Sequence, residues 1–142
     1  MRKRTKAREC ALKILYQVDI TGDSCKDSLE MFWQTSGTQE GAVKEFATRL
    51  VEGTFAHLKE IDKEIAKSAA NWQMKRMAVV DRNILRIATF EILYLDDIPP
   101  KVSINEAVDL AKKFGDNDSG RFVNGIIDKI KSTSCEKKDD KK

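Results

Sequence analysis

The sequence predicts a single all-α domain, and three observations carry that prediction. Charged residues make up 35% and apolar residues 41%, beside only 2 prolines and 7 glycines, a balance that suits helices around one core better than a disordered or β-rich chain. Apolar residues recur at spacings of three and four along most of the length, which is the period of a helix with one buried face. A chain of 142 residues is long enough for one core and too short for a catalytic domain with an accessory one. The domain is placed at residues 1–131, and the polar stretch at 132–142 is expected to be a disordered tail.

The elements follow in order. Ala7, Ala11, Ile14, Leu15 and Val18 mark one face of a helix over 7–20, with basic residues at its start. Thr21-Gly22-Asp23-Ser24 breaks it, a short helix follows at Asp27–Trp33, and Thr35-Ser36-Gly37-Thr38 is the next loop. From Val43 to Ile65 the apolar period runs unbroken through Phe46, Ala47, Leu50, Val51, Thr54, Phe55, Leu58 and Ile61, predicting one long helix with that stripe buried. Gly53 within it costs about 1 kcal/mol relative to Ala and marks a bend or a close crossing. Asn71 is expected to cap a short turn reaching Met77.

Val79–Leu95 is apolar on almost every side, the pattern of a central helix surrounded by others. Pro99 and Pro100 stop it. Ser103-Ile104-Asn105-Glu106 matches a capping box, so the next helix is predicted to start there, turn Ala107, Val108, Ala111 and Phe114 inward, and end at Gly115 in the left-handed region. Asp116-Asn117-Asp118-Ser119 supplies caps for a last helix with Phe122, Val123, Ile126, Ile127 and Ile130 on one face. Gly120 and Gly125 are read as places where a neighbour or a ligand comes close. There is no internal repeat.

Charge is the chief functional signal. Residues 1–13 hold Arg2, Lys3, Arg4, Lys6, Arg8 and Lys13 against Glu9 alone, a local +5 within a chain whose net charge is +3. Such a start has four readings: a signal peptide, a membrane-surface helix, a solvated tail, or an arm that holds nucleic acid. Lys13, Gln17 and Asp19 interrupt the apolar run and no small-residue cleavage pattern follows, which argues against the first. The helix start lacks the Trp and Phe that membrane-surface helices insert, which argues against the second. The tail and the nucleic-acid arm stay open on composition, since lysine and arginine bind phosphates by releasing counterions.

Other chemistry is sparse. Cys10, Cys25 and Cys135 are scattered, so neither a disulfide framework nor a zinc site is indicated, no cofactor is implied, and a reducing cytoplasm fits best. No stretch of about 18 apolar residues is present to cross a bilayer. His57 is the single histidine, and there is no glycine-rich phosphate loop, nucleophile elbow or paired histidine motif, so no catalytic residues are assigned. Tyr16 and Phe122 are candidates for base stacking, with a core role as the alternative for both. Arg82 and Arg86, four apart, form either a solvated face or a partner-binding face.

Three stretches, KARECALKILY, VVDRNILRIATFEI and DIPPKVSINEAVDLAKKFGDNDSGRFVNGIID, resemble the NusB family of bacterial transcription antitermination factors. The resemblance spans about residues 2–130 and omits Gly22 to Lys44. It implies an all-α fold of about seven helices in two small packed bundles, and no enzymatic activity. It also implies binding of single-stranded boxA RNA together with ribosomal protein NusE, within a complex that keeps RNA polymerase elongating through ribosomal RNA operons.

By that resemblance Arg2, Lys3, Arg4, Lys6 and Arg8 contact RNA, Tyr16 is the tyrosine of an L-Y motif, and Asp118, Arg121 and Phe122 belong to an F-G-x-x-D-S-x-x-F segment that approaches RNA. Asp81 stands where the family presents an acidic residue to NusE, with Arg82 beside it. Lys13, Phe90 and Gly120 depart from residues common in the family. The RNA-binding domain of ribosomal RNA cytosine methyltransferases is similar too, but those enzymes continue into a large cofactor-binding domain that this length is not expected to hold. Two rivals accompany this reading: an RNA-targeting subunit of a modification complex, and a scaffold that binds proteins only. The oligomeric state stays open between monomer and homodimer.

Overall fold

The computed structural model describes residues 2–37, 40–69 and 72–140, with side chains up to 134. Seven α-helices and one 3-10 turn make up its regular structure, and no strand occurs among the described residues. α1 (Lys3–Thr21), α2 (Cys25–Thr35) and α3 (Gly41–Ala56) pack together as one small bundle, and α4 (Leu58–Ser68), α6 (Pro100–Phe114) and α7 (Ser119–Asp140) gather into a second. Between them lies α5 (Val79–Tyr94), which touches α1, α3, α4, α6 and α7. Its burial runs right round the helix, including Asp81, Asn83, Ile84, Leu85, Ile87 and Glu91, as a residue pattern without a polar face requires.

Local signals explain several boundaries. α1 ends at Gly22, whose φ of 75° is the left-handed conformation that glycine takes without a Cβ clash. Ser24 caps α2 by accepting the Asp27 backbone N–H at 3.1 Å. Asn71, the expected cap of the next turn, lies outside the described residues; the turn itself is the 3-10 segment Met74–Arg76.

The single helix expected over Val43–Ile65 is two. α3 and α4 meet at His57, whose φ of −111° and ψ of 22° break the spiral. α3 packs against α1 and α5, whereas α4 packs against α5 and α7, so the chain turns to keep both apolar stripes on the core. A periodic sequence cannot register that turn, because the stripe continues across it. Of that stripe, Phe55 is the member that the structure leaves exposed. Gly53 marks the close crossing: a Cβ there would stand 2.1 Å from Cζ of Phe90.

Three further expectations are corrected. Ser103 and Glu106 do not cap α6, which begins three residues earlier at Pro100, where the fixed φ of proline suits a first helical position. Gly115 is extended, at φ −94° and ψ −166°, and its lack of a Cβ instead makes room for the Ser119 side chain 2.3 Å from where that atom would lie. Of the two α7 glycines, Gly120 lies close to Lys112, at 3.3 Å from a built Cβ, whereas Gly125 faces open space. The helical backbone of α7 runs from Ser119 through Asp140.

Candidate nucleic-acid interface

Helix α1 begins at Lys3, so the basic start is ordered and its cations sit on a rigid element. No acidic residue occupies its first turn. Cations at the positive end of a helix dipole are mildly unfavourable to the helix, yet they add to the same anion-attracting field. Arg2, Lys3 and Arg4 are exposed and meet single carboxylates: Glu106 at 3.5 Å, Glu40 at 3.1 Å and Asp97 at 3.4 Å. The Lys3 and Arg4 pairs are exposed on both sides and contribute little, whereas the Arg2 partner, Glu106, is buried. Lys6, Lys13 and Tyr16 follow at helical spacing along the outer face of α1, all exposed. Tyr16, at 39% exposure, therefore stands on the surface and not in the core.

Arg8 does not belong to that surface. It is 2% exposed, and its guanidinium holds Glu91 in a two-pronged pair, Nε to Oε2 at 2.9 Å and Nη2 to Oε1 at 2.7 Å. The Ser103 hydroxyl donates to Glu91 Oε1 at 2.9 Å, the Thr5 hydroxyl donates to Glu106 Oε1 at 2.8 Å, and Arg8 Nη1 lies 3.5 Å from Glu106. Both residues of the expected cap are drawn inward, Ser103 donating to the buried Glu91 carboxylate and Glu106 facing the buried Arg8 cation. Arg8 thus fixes α1 against α5 and α6, and the arginine count of the opening stretch overstates its free charge by one.

The second cluster forms around the turn before α7. Asp116 Oδ1 accepts the Asp118 backbone N–H at 2.9 Å and the Ser119 hydroxyl at 3.2 Å, while the Ser119 oxygen accepts the Asp116 N–H at 3.0 Å. This reciprocal closure holds Asp118 and Arg121 exposed on either side of it. Phe122 is partly buried against the core and meets Trp72 edge-on, with centroids 5.8 Å apart. Trp72 is 54% exposed and joins the site only through the fold; its one mark in the sequence is that it is a tryptophan outside any apolar stripe.

Asp81, Asp118, Trp72 and Phe122 line one cavity of about 270 Å³. Burial pushes the Asp81 carboxyl above its ordinary range, aided by the Asp116 charge and opposed by the neighbouring Ser119 hydroxyl. Its Oδ1 is buried without a hydrogen-bond partner. Asp81 therefore adjoins the Phe122 segment and does not lie on a separate face.

Arg82 is different. Its Nε and Nη2 bind Asp19 Oδ2 at 2.9 and 2.8 Å, and its Nη1 donates to the Met74 carbonyl at 3.1 Å. Arg86 joins Asp19 at 3.2 Å and Asp62 at 2.9 Å. Burial alone would raise Asp19, but the bonds from Arg82 and Asn83 and the Arg86 charge outweigh it, so its carboxyl sits below the usual range. These arginines tie α5 to α1 and α4; neither presents a free guanidinium to a partner.

Tertiary structure brings the two clusters side by side. Lys113 Nζ pairs with Glu9 at 2.9 Å, and Lys13 and Lys113 both lie over the Phe114 ring, at 5.9 and 5.4 Å. Arg2 and Arg121, far apart in sequence, line a common cleft of about 850 Å³. Cations from α1 and aromatics from the Trp72–Phe122 corner thus flank the end of α6. Elsewhere His57 is stacked on Tyr94 at 4.0 Å, and among the described residues no group of three or more His, Cys, Asp or Glu is arranged to hold a metal. No helix of the described residues is long and apolar enough to cross a membrane.

A NusB family model matches residues 5–132. The transcription antitermination protein NusB of Anaeromyxobacter dehalogenans is 46% identical over 130 residues, spanning 92% of this chain and 91% of that protein. The chain belongs to the NusB family. NusB of T. maritima has the same fold, with a TM-score of 0.83 at 37% identity over 91% of this chain and 90% of that one. A chain from the crystal structure of antitermination factors NusB and NusE in complex with double-stranded RNA matches with a TM-score of 0.86 at 31% identity, over 94% and 98% of the two. The all-α, two-bundle architecture expected from the NusB resemblance is thus the one observed.

Proposed function

We propose that this NusB-family protein is a non-enzymatic, cytoplasmic RNA-binding antitermination factor that binds boxA RNA together with ribosomal protein NusE and supports processive transcription of ribosomal RNA operons. The carrying observation is the adjacency of two clusters on one rigid body: exposed cations and Tyr16 along α1, and Trp72 with Phe122 beside the end of α6. Cations following a strand's backbone and aromatic faces for its bases are the two components that single-stranded RNA binding needs. The relative solved with NusE and double-stranded RNA supports RNA and NusE as the two kinds of partner.

Arg2, Lys3, Arg4, Lys6 and Arg121 are the phosphate contacts in this reading, Tyr16 and Phe122 the stacking groups, and Asp118 a polar contact at the turn. Asp81, on the wall of the cavity beside Phe122, is the acidic contact for the protein partner in this reading, as the family resemblance implies. RNA and NusE binding one body are expected to favour each other by about 1–3 kcal/mol.

The test is a titration of boxA-containing RNA, with and without NusE, across salt concentrations. NusE should tighten RNA binding about 5- to 150-fold. Replacing Arg4 and Lys6 by Ala should lower the salt slope by about 0.7 per lost phosphate contact. An RNA affinity indifferent to NusE would overturn the adaptor reading, and an unaltered slope would return the basic start to a solvated role.

A further inference from the structure

The cleft between α6 and α7 is not explained by the two clusters that flank it. Resting on the RNA reading above, we propose that it is a base-reading subsite, in which one unpaired nucleotide of the bound RNA is held by its phosphate and read by side-chain amides.

The cleft is built from two stripes at helical spacing. Asn105 and Lys112 stand seven apart on α6, and Asn117, Arg121 and Asn124 line the facing turn and α7. Arg2 reaches in from the start of α1. All six side chains are exposed, and Lys112 and Arg121 make no ion pair among the described residues. Of the two carboxylates on the walls, Asp116 is already engaged in its own turn, accepting from Asp118 and Ser119. With exposed Asp109 as the other wall carboxylate, Arg2, Lys112 and Arg121 still outnumber the acids, three against two, and that excess favours an anion.

Shape and chemistry narrow the occupant. A volume of about 850 Å³ lies within the range, about 300–1,000 Å³, of sites that enclose a small organic ligand, so a nucleotide fits. Gly120 keeps the cleft open, because a Cβ there would press on Lys112 Cγ at 3.3 Å. No aromatic lines the cleft, and Val108 is its only sizeable aliphatic side chain, so it offers neither a stacking platform nor the apolar anchor that a protein partner would use. Three carboxamides, each with a donor and an acceptor, instead suit the edge of a base that carries both, as adenine does at N6 and N7. Arg2 is shared with the basic start and Arg121 lies beside Phe122, so a strand bridging those clusters passes this cleft.

The experiment measures binding of a boxA-containing single-stranded RNA and of the set in which each position is changed in turn, for the intact protein and for Asn105→Ala, Asn124→Ala and Lys112→Ala. Each variant's fold is checked by its melting temperature. Either asparagine change should reduce discrimination at one RNA position about tenfold while leaving the salt slope alone, whereas Lys112→Ala should weaken all sequences alike and lower the slope by about 0.7. Discrimination preserved in both asparagine variants, with the intact protein still binding RNA, would overturn the subsite alone. Failure of the intact protein to bind the RNA, even with NusE, would overturn the RNA reading beneath it.

Discussion

Replacing Arg8 by methionine separates two roles for a cation in the basic start. The change keeps a long side chain but leaves Glu91, whose carboxylate is 1% exposed, with only the Ser103 hydroxyl, and takes one of the cations from Glu106. Removing one partner of a buried pair costs about 3–5 kcal/mol, because a charge is left in a poorly solvated place. An unfolding entropy of about 2.1 cal/mol/K per residue gives about 0.3 kcal/mol/K for this length, so the melting temperature should fall by about 10–17 °C. The double variant Arg8→Met, Glu91→Leu removes both charges and should recover much of that loss, Glu106 keeping Thr5 and Arg2. The assays are thermal melting by circular dichroism and the salt dependence of RNA binding at a temperature where the variant is folded. A melting temperature within a degree or two of the parent, together with a shallower salt slope, would refute the reasoning and restore Arg8 to the RNA surface.

Other consequences follow from the same packing. Gly53→Ala should destabilise by about 1–3 kcal/mol in urea melts, since the added methyl collides with Phe90, even though alanine is the better helix former by about 1 kcal/mol; pairing it with Phe90→Leu should relieve the clash. Asp19, whose folded pKa is depressed, contributes stability that is present above the unfolded value of about 3.9 and is lost as pH falls through the folded one, so Asp19→Asn should lower the melting temperature at pH 7 more than at pH 3. Asp81 has the opposite sign. Its raised pKa means that folding becomes less favourable as pH climbs from about 3.9 through the folded value, so Asp81→Asn should raise the melting temperature more at pH 7 than at pH 3, while weakening the NusE contact proposed for it.

The helical class and the central place of α5 are legible in the sequence, because each depends on a local period, whereas the start of α1 at Lys3 and the choice of a close crossing over a bend at Gly53 came from the packing. Family motifs in the same sequence located the Asp118–Phe122 segment. Which of these residues face outward depends on how the helices cross. Arg8 reads like its basic neighbours, but its place on α1 turns it toward Glu91 and Glu106, and Ser103 and Glu106, drawn into the same cluster, do not form the cap they spell. The break at His57 was invisible because α3 and α4 share one apolar period while packing on different neighbours. Arg82 and Arg86 have helical spacing in either role, and only Asp19 and Asp62, brought in from α1 and α4, give them an internal one. Periodicity reports that a side has been buried; which long-range partner buries it, and which charge that partner neutralises, is set by the crossing of helices that the chain order does not encode locally.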